Sequence, residues 1–284
     1  MAKNAKYTDY EVVIRPARGA GLDVRELLRY RDLIGLFVKR NFILVYKQTI
    51  LGPLWLILNP LLTSVVYTLL FGGMAQMDTD GVPAMVFYLA STTIWGLFNS
   101  GVTGTSDTFR ANAAVFGKVY FPRLTVPIAQ AITSILNFAI QLALTVIIYV
   151  VYIFMGTPLG TGWAVILIPL LVVQAAVLAM AVGAIVTSLT TKYRDLAIAV
   201  SFGMQLWMYL TPVVYSLTSV GGLAYTLLLC NPMTAIVQNF RYCLLGTGQL
   251  LTWPWLISVA MTLVLAWIGV HLYSKTEKTF VDTI

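Results

Sequence analysis

The sequence predicts an all-α integral membrane protein, and three observations carry that prediction. Of its 284 residues, 59% are hydrophobic and only 10% are charged, against about 25% charged in a soluble domain. The apolar residues fall in long unbroken runs, whereas the strands of an outer-membrane barrel alternate. The cations gather in alternate loops.

A spanning helix needs about 20 apolar residues. Six stretches qualify, roughly 52–75, 83–106, 124–155, 163–190, 196–217 and 252–273. The chain is therefore read as a cytoplasmic N-terminus, 1–51, followed by one six-span transmembrane domain, 52–284. Between the last two spans lies 218–251, whose apolar run Leu223 to Cys230 is too short to cross. With Asn231 and Pro232 behind it, it reads as a re-entrant or interfacial pair of short helices. No cleavable signal peptide is expected, because the first apolar run follows some fifty residues rich in Lys and Arg.

The cations set the orientation. They concentrate in 1–51, in the loop 107–123, in Thr191–Asp195 and in the tail after Ser274, and only Arg241 falls elsewhere. Both termini are therefore expected in the cytoplasm. Trp163, Trp253 and Trp255 fall at span ends, where an interfacial aromatic belt would lie. The stretch "ELLRYRDLIGLFVKRNFILVYKQ" sets Leu27, Leu28, Ile34, Leu36 and Phe37 among Arg29, Arg31, Lys39 and Arg40. That spacing predicts a basic amphipathic helix in the membrane interface, or else a plain positive anchor for the first span.

Several function classes are disfavoured. The only acids between Asp32 and Glu277 are Asp78, Asp80, Asp107 and Asp195, all at expected loops. An ion-driven carrier normally needs a carboxylate at depth, although backbone oxygens can also hold sodium. Gly117-Lys118 lacks the other residues of a phosphate-binding loop. Cys230, Cys243 and the lone His271 have no metal-ligand spacing, so no metal and no catalytic residue is assigned. The net charge of +7 fits cytoplasmic loops better than nucleic-acid binding. Energy for uphill transport would have to come from a partner.

Three polar patterns stand out. Gln130, Ser134, Asn137, Gln141 and Thr145 share one face of the third span. They would serve as interhelical hydrogen-bond glue or as the wall of a hydrophilic path. The first span carries Trp55, Asn59, Thr63, Tyr67 and Phe71 at steps of four, a slanted ridge. The fifth offers Ser201, Gln205, Met208, Tyr209, Pro212 and Tyr215. Aromatic faces beside neutral hydrogen-bonding groups suit sugars, whose C–H faces stack on rings and whose hydroxyls meet amides. Lipid-facing or core aromatics are the plainer alternative. The stretch "VFGKVYFPRLTVP" at 115–127 is too polar to span and too apolar for a free loop. It would dock on a soluble partner, with Phe109, Phe116, Tyr120 and Phe121 as anchors and Arg110, Lys118 and Arg123 at the rim. A simple interfacial loop is the alternative.

Four stretches in order carry a resemblance: "YKQTILGPLWLILNPLL" at 46–62, "VFGKVYFPRLTVP", "KYRDLAIAVSFGMQLWMYLTPVVY" at 192–215 and "NPMTAIVQNFR" at 231–241. Together they resemble the permease subunits of ABC-type exporters for polysaccharides and polyol phosphates, which include O-antigen and wall teichoic acid exporters. The resemblance implies a homodimer of six-span subunits in the bacterial inner membrane, paired with two copies of a separate ATPase. This chain would bind no cofactor, and ATP and Mg would sit on the ATPase. The loop 107–123 would be a cytoplasmic coupling helix seated in the ATPase. The segment 218–251, with Asn231, Pro232 and Arg241, would gate the exterior mouth. Trp55, Asn59, Tyr67, Phe71, Gln205, Tyr209 and Tyr215 would line the channel. The substrate would be a glycan on undecaprenyl diphosphate, whose diphosphate could meet Arg29, Arg31, Lys39, Arg40 and Lys47, unless these only anchor orientation. An O-antigen-like polysaccharide is the first expectation. A teichoic acid, a capsule glycan or a small molecule or lipid is the alternative.

Overall fold

The computed structural model describes residues 24–281, apart from 48–49, 117, 119–120, 158–159, 161 and 192–195. Residues 1–23, Tyr120, the cations Lys192 and Arg194, and Asp195 lie outside the described residues. Among the described residues every regular element is helical.

Two helices precede the spans, α1 (Val24–Arg29) and α2 (Arg31–Tyr46). One face of α2 packs inward through Phe37, with Leu33, Ile34 and Val38 beside it. Leu36 and Leu44 stay exposed on another. The first apolar span, Gly52–Met74, opens on a 3₁₀ turn at Gly52–Leu54 and continues as α3 (Trp55–Tyr67). It ends in a π-helical turn, Thr68–Met74. Pro60 lies inside α3, where its missing N–H loosens the ladder.

The next helix, α4 (Ala84–Ser106), is the buried centre of the molecule and packs against α3, α6 (Thr125–Phe154) and α7 (Ile168–Thr190). Close approach rests on small residues: a Cβ on Gly183 would stand 2.5 Å from the Thr105 Cβ. Helix α11 (Thr252–Val281) closes the bundle against α7. Short helix α5 (Thr108–Phe116) follows α4 after a single turn residue, Asp107.

Among the described residues, four helical stretches are long and apolar enough to cross a membrane: Gly52–Met74, Thr125–Phe154, Trp163–Thr190 and Thr252–Glu277. Helix α4 is not among them, although its 23 residues would reach about 34 Å at the usual rise. It faces protein on nearly every side, so it carries Ser, Thr and Gly where a lipid-facing helix carries Leu. The expected fifth span needs correction. Helix α8 (Leu196–Tyr209) has only 14 residues and stops ahead of Pro212 instead of running to 217.

The segment 218–251 does contain two short helices, α9 (Gly222–Leu229) and α10 (Pro232–Leu245). They differ sharply. No residue of α9 is buried, whereas α10 is enclosed by α4, α7 and α11. Helix α10 ends at Gly246 in the left-handed region, φ 71°, with the Gly160 carbonyl packed where a side chain would stand.

Candidate functional site

A cavity of about 650 Å³ lies between α3, α4, α6 and α8. From α3 come Asn59, Pro60, Thr63 and Tyr67, and from α8 come Ser201, Met204, Gln205, Met208 and Tyr209. Steps of four on two helices thus meet across one space. Helix α4 supplies the rear wall with Thr92, Trp95, Gly96, Asn99 and Thr103, and α6 adds Gln141. No charged side chain occurs among the described residues of this lining. The surface offers rings, amides and hydroxyls, the groups that hold a neutral polyhydroxyl molecule.

Of the seven channel residues expected from the sequence, Asn59, Tyr67, Gln205 and Tyr209 line this cavity. Phe71 lies behind it, in a ring cluster with Tyr67 and Tyr88 at centroid distances of 5.5 and 6.4 Å. Tyr215 donates its hydroxyl to the Tyr209 carbonyl (3.2 Å) and lines a neighbouring, mainly apolar pocket against α9. Trp55 is exposed and away from both. The α4 residues are not in the sequence expectation, yet Trp95, Asn99 and Thr103 also step by four. That was the available signal.

The polar face of α6 turns towards α4. Gln130 Nε2 donates to the Ser100 carbonyl (3.3 Å), and Thr145 bonds Thr93 (3.0 Å). Gln141 Oε1 lies beside Gly96, and Ser134 Oγ beside Gly101. The glue reading therefore describes Gln130 and Thr145, Gln141 serves the cavity, and Ser134 Oγ and Asn137 Oδ1 are buried with no hydrogen-bond partner among the described residues.

A second cavity, of about 600 Å³, opens at the α5 end and shares Thr103 and Ser201 with the first. Hydroxyls of Ser106, Thr187, Thr190 and Thr191 line it, and Arg110 bonds Asp107 at 2.6 Å beside it. The two cavities thus adjoin at Thr103 and Ser201, on α4 and α8.

The expected docking segment is built differently from the sequence reading. Phe109, Phe116 and Phe121 are buried in this chain's own cluster with Phe37 and Tyr273, so they cannot insert into a partner. Phe109 stacks on Tyr273 at 4.9 Å between centroids. Arg123 is also turned inward. Its guanidinium lies over Phe116, donates to the Glu277 carbonyl (3.1 Å) and approaches the Glu277 carboxylate (3.9 Å). What α5 and its flank expose is Arg110, Ala111, Ala114, Val115 and Lys118. The physical reason is that α5 has a strongly one-sided apolar face, and α6 and α11 cover that face here.

The basic residues of α1 and α2 divide as well. Arg29, Arg31, Lys39 and Lys47 are exposed, and Arg31 faces Asp32 at 3.7 Å. Arg40 points inward instead. It lies over Phe37 and donates to Asn112 on α5 (2.9 Å), so it is not free to hold a diphosphate. Burial lowers its pKa from the ordinary value.

At the opposite end, Asn231 caps α10 by accepting from Met233 N–H (3.0 Å). It also accepts from Trp207 Nε1 and donates to the Leu210 carbonyl and the Thr211 hydroxyl. Pro232 takes the first helical position, which suits its fixed φ. Arg241 is 2% exposed and lies over Phe87. It donates to Ser91 Oγ, to the Pro212 and Tyr215 carbonyls and to Gln238. Both residues thus pin the irregular segment 210–216 that joins α8 to α9. Ser216 and Thr218 are tied in turn to Asp80, which adopts a left-handed φ of 55°. Cys230 is exposed and Cys243 buried, with no disulfide between them.

Comparison with known proteins fits this architecture. A family model described as ABC-2 type transporter matches residues 32–245. An O-antigen export system permease protein RfbA from Myxococcus xanthus is 28% identical over 263 residues, covering 92% of this chain and 98% of the relative. A Klebsiella pneumoniae protein of the same name is 26% identical over 255 residues, covering 89% and 95%. A second from Klebsiella pneumoniae is 24% identical over 254 residues, covering 89% and 95%. With three quarters of its length inside that match, this all-helical membrane chain belongs to the ABC-2 type transporter family.

Proposed function

We propose that this chain is the permease subunit of an ATP-driven exporter. It would move undecaprenyl-diphosphate-linked, O-antigen-like polysaccharide from the cytoplasmic to the outer leaflet of the bacterial inner membrane. The observation that carries the reading is the uncharged cavity in which Asn59, Tyr67, Gln205 and Tyr209 face one another. A sugar chain needs rings to slide over and amides to exchange hydrogen bonds with, and a fixed charge would only hold it back. The full-length relatives named as O-antigen export permeases support the same substrate class.

The working unit is two copies of this chain with two copies of a nucleotide-binding ATPase, which carries ATP and Mg. Each copy crosses the membrane six times, with both termini in the cytoplasm. Helix α4 and the pair α8 with 210–216 complete the four apolar spans. The exposed surface of α5, with Arg110, Val115 and Lys118, meets the ATPase. Helices α9 and α10 close the outer mouth. Exposed Arg29, Arg31, Lys39 and Lys47 meet the lipid diphosphate at the cytoplasmic face.

The test is co-purification with the ATPase in lipid nanodiscs, then ATP turnover with and without an undecaprenyl-linked glycan. A two-plus-two complex stimulated by O-antigen lipid is the expected result. Stimulation only by a polyol-phosphate polymer would move the substrate to teichoic acid. A complex indifferent to glycans would make it a small-molecule or lipid exporter. No complex at all would sink the ATP-driven reading.

A further inference from the structure

One polar chain runs from α5 through α2 and α6 to α4, and only its last member lines the cavities. It starts on α5, where the Asn112 side chain is 3% exposed and anchored by its own donation to the Thr108 carbonyl (2.9 Å). Its Oδ1 accepts from Arg40 Nη2 on α2 (2.9 Å). The same Arg40 nitrogen reaches Asn41 Oδ1 (3.2 Å). Asn41 Nδ2 then donates to Gln130 Oε1 on α6 (3.2 Å). Gln130 Nε2 donates to the Ser100 carbonyl on α4 (3.3 Å). That carbonyl also accepts, more weakly, from the Thr103 hydroxyl (3.4 Å), and Thr103 lines both cavities.

Each link is selective. Among the described residues, Arg40 meets two amide oxygens and the Phe37 ring at 4.7 Å, and no carboxylate. Gln130 lies so close to α4 that a Cβ on Gly104 would stand 2.2 Å from its Nε2. Gly104 thus leaves the space that lets the amide reach Ser100. Side-chain amides alternate donor and acceptor, so the chain has one sense from Arg40 inward, and no link can slip without unpairing its neighbour.

We propose that Arg40, Asn41 and Gln130 are positioning residues that transmit displacement of α5 to Ser100 and so to the cavity wall at Asn99 and Thr103. The proposal rests on the reading of α5 as the element that meets the ATPase. A shift of α5 moves Asn112, drags the Arg40 head and the Asn41 amide with it, and pulls on Gln130. Ser100 follows Asn99, itself a wall residue, so the pull arrives where two lining side chains are set.

The experiment uses the full complex with its ATPase in nanodiscs and reads glycan-lipid molecules moved per ATP hydrolysed. Asn112→Leu and Gln130→Leu should each lower that ratio about fivefold or more, the scale of ordinary coupling between sites. The double variant should be no worse than either single, because both cut one chain. Asn112→Asp keeps the acceptor for Arg40 while losing the donation to Thr108, and should retain more of the ratio than Asn112→Leu. Asn41→Ala, at a half-exposed position, gives the same reading should Gln130→Leu fold poorly. Unchanged ratios, losses that multiply, or an Asn112→Asp variant as poor as Asn112→Leu would overturn the relay. So would loss of complex assembly in Asn112→Leu, which would make Asn112 a docking residue. Failure of the unaltered chain to bind an ATPase would instead remove the exporter reading.

Discussion

The two ends of this molecule differ in which contacts predominate. At the α5 end, Phe37, Phe109, Phe116, Phe121 and Tyr273 meet ring to ring, with centroids 4.9 to 5.9 Å apart. At the α10 end, Arg241 and Asn231 donate to the carbonyls of Leu210, Pro212 and Tyr215. Ring contacts tolerate small shifts because their attraction is broad. Hydrogen bonds weaken steeply as their angle opens. The ring cluster can therefore shift while staying packed, carrying the Arg40–Asn112 bond with it, and the bonded end holds one geometry until its bonds part together. The exporter proposed above, driven from one side and gated at the other, would need that asymmetry.

The largest expected effect falls on the bonded end. Arg241→Met fills similar space but leaves buried acceptors unmet, at a cost of about 1–3 kcal/mol each. A melting curve in nanodiscs should therefore show the deepest loss of all these variants, and a shift of only a degree or two would refute the lock. On the ring-packed end, Phe109→Ala should cost about 3 kcal/mol or more through the cavity it leaves. Phe109→Leu should cost less than about 1.5 kcal/mol. That tolerance is the sharpest contrast with Arg241, and equal sensitivity at both ends would erase the distinction. Asn231→Ala removes a helix cap and two donors, so about 2 kcal/mol is expected. Hydrogen exchange at 210–216 should rise in the same variant. The smallest effect on stability belongs to the cavity. Gln205→Ala, at an exposed wall position, should leave stability within about 0.5 kcal/mol while slowing export of surface glycan in cells. Full export from this variant would return Gln205 to a lipid-facing role.

Much of the fold was legible from hydropathy alone. Apolar runs locate the four long spans, but the run read to 217 overshoots α8, which stops ahead of Pro212. The cavity was half legible. Four-residue steps mark Asn59, Tyr67, Gln205 and Tyr209, but the α4 wall of Trp95, Asn99 and Thr103 is masked by that helix's weak apolar signal. The Phe residues of α5 show the opposite failure. They read as anchors for a partner, and the chain buries them itself.

By itself, then, the sequence determined the helical membrane class, the four long apolar spans, the charge distribution and the share of the cavity wall that α3 and α8 supply. Only the tertiary structure decided which apolar and cationic side chains turn inward: Phe109 and Phe121, and Arg40, Arg123 and Arg241. Helical periodicity fixes the angle of a residue around its axis. In a membrane protein both lipid and a neighbouring helix are apolar, so that angle does not say which of the two it meets. The choice is made by close packing and by hydrogen bonds between residues far apart in the chain, such as Arg40 with Asn112 and Arg241 with Ser91.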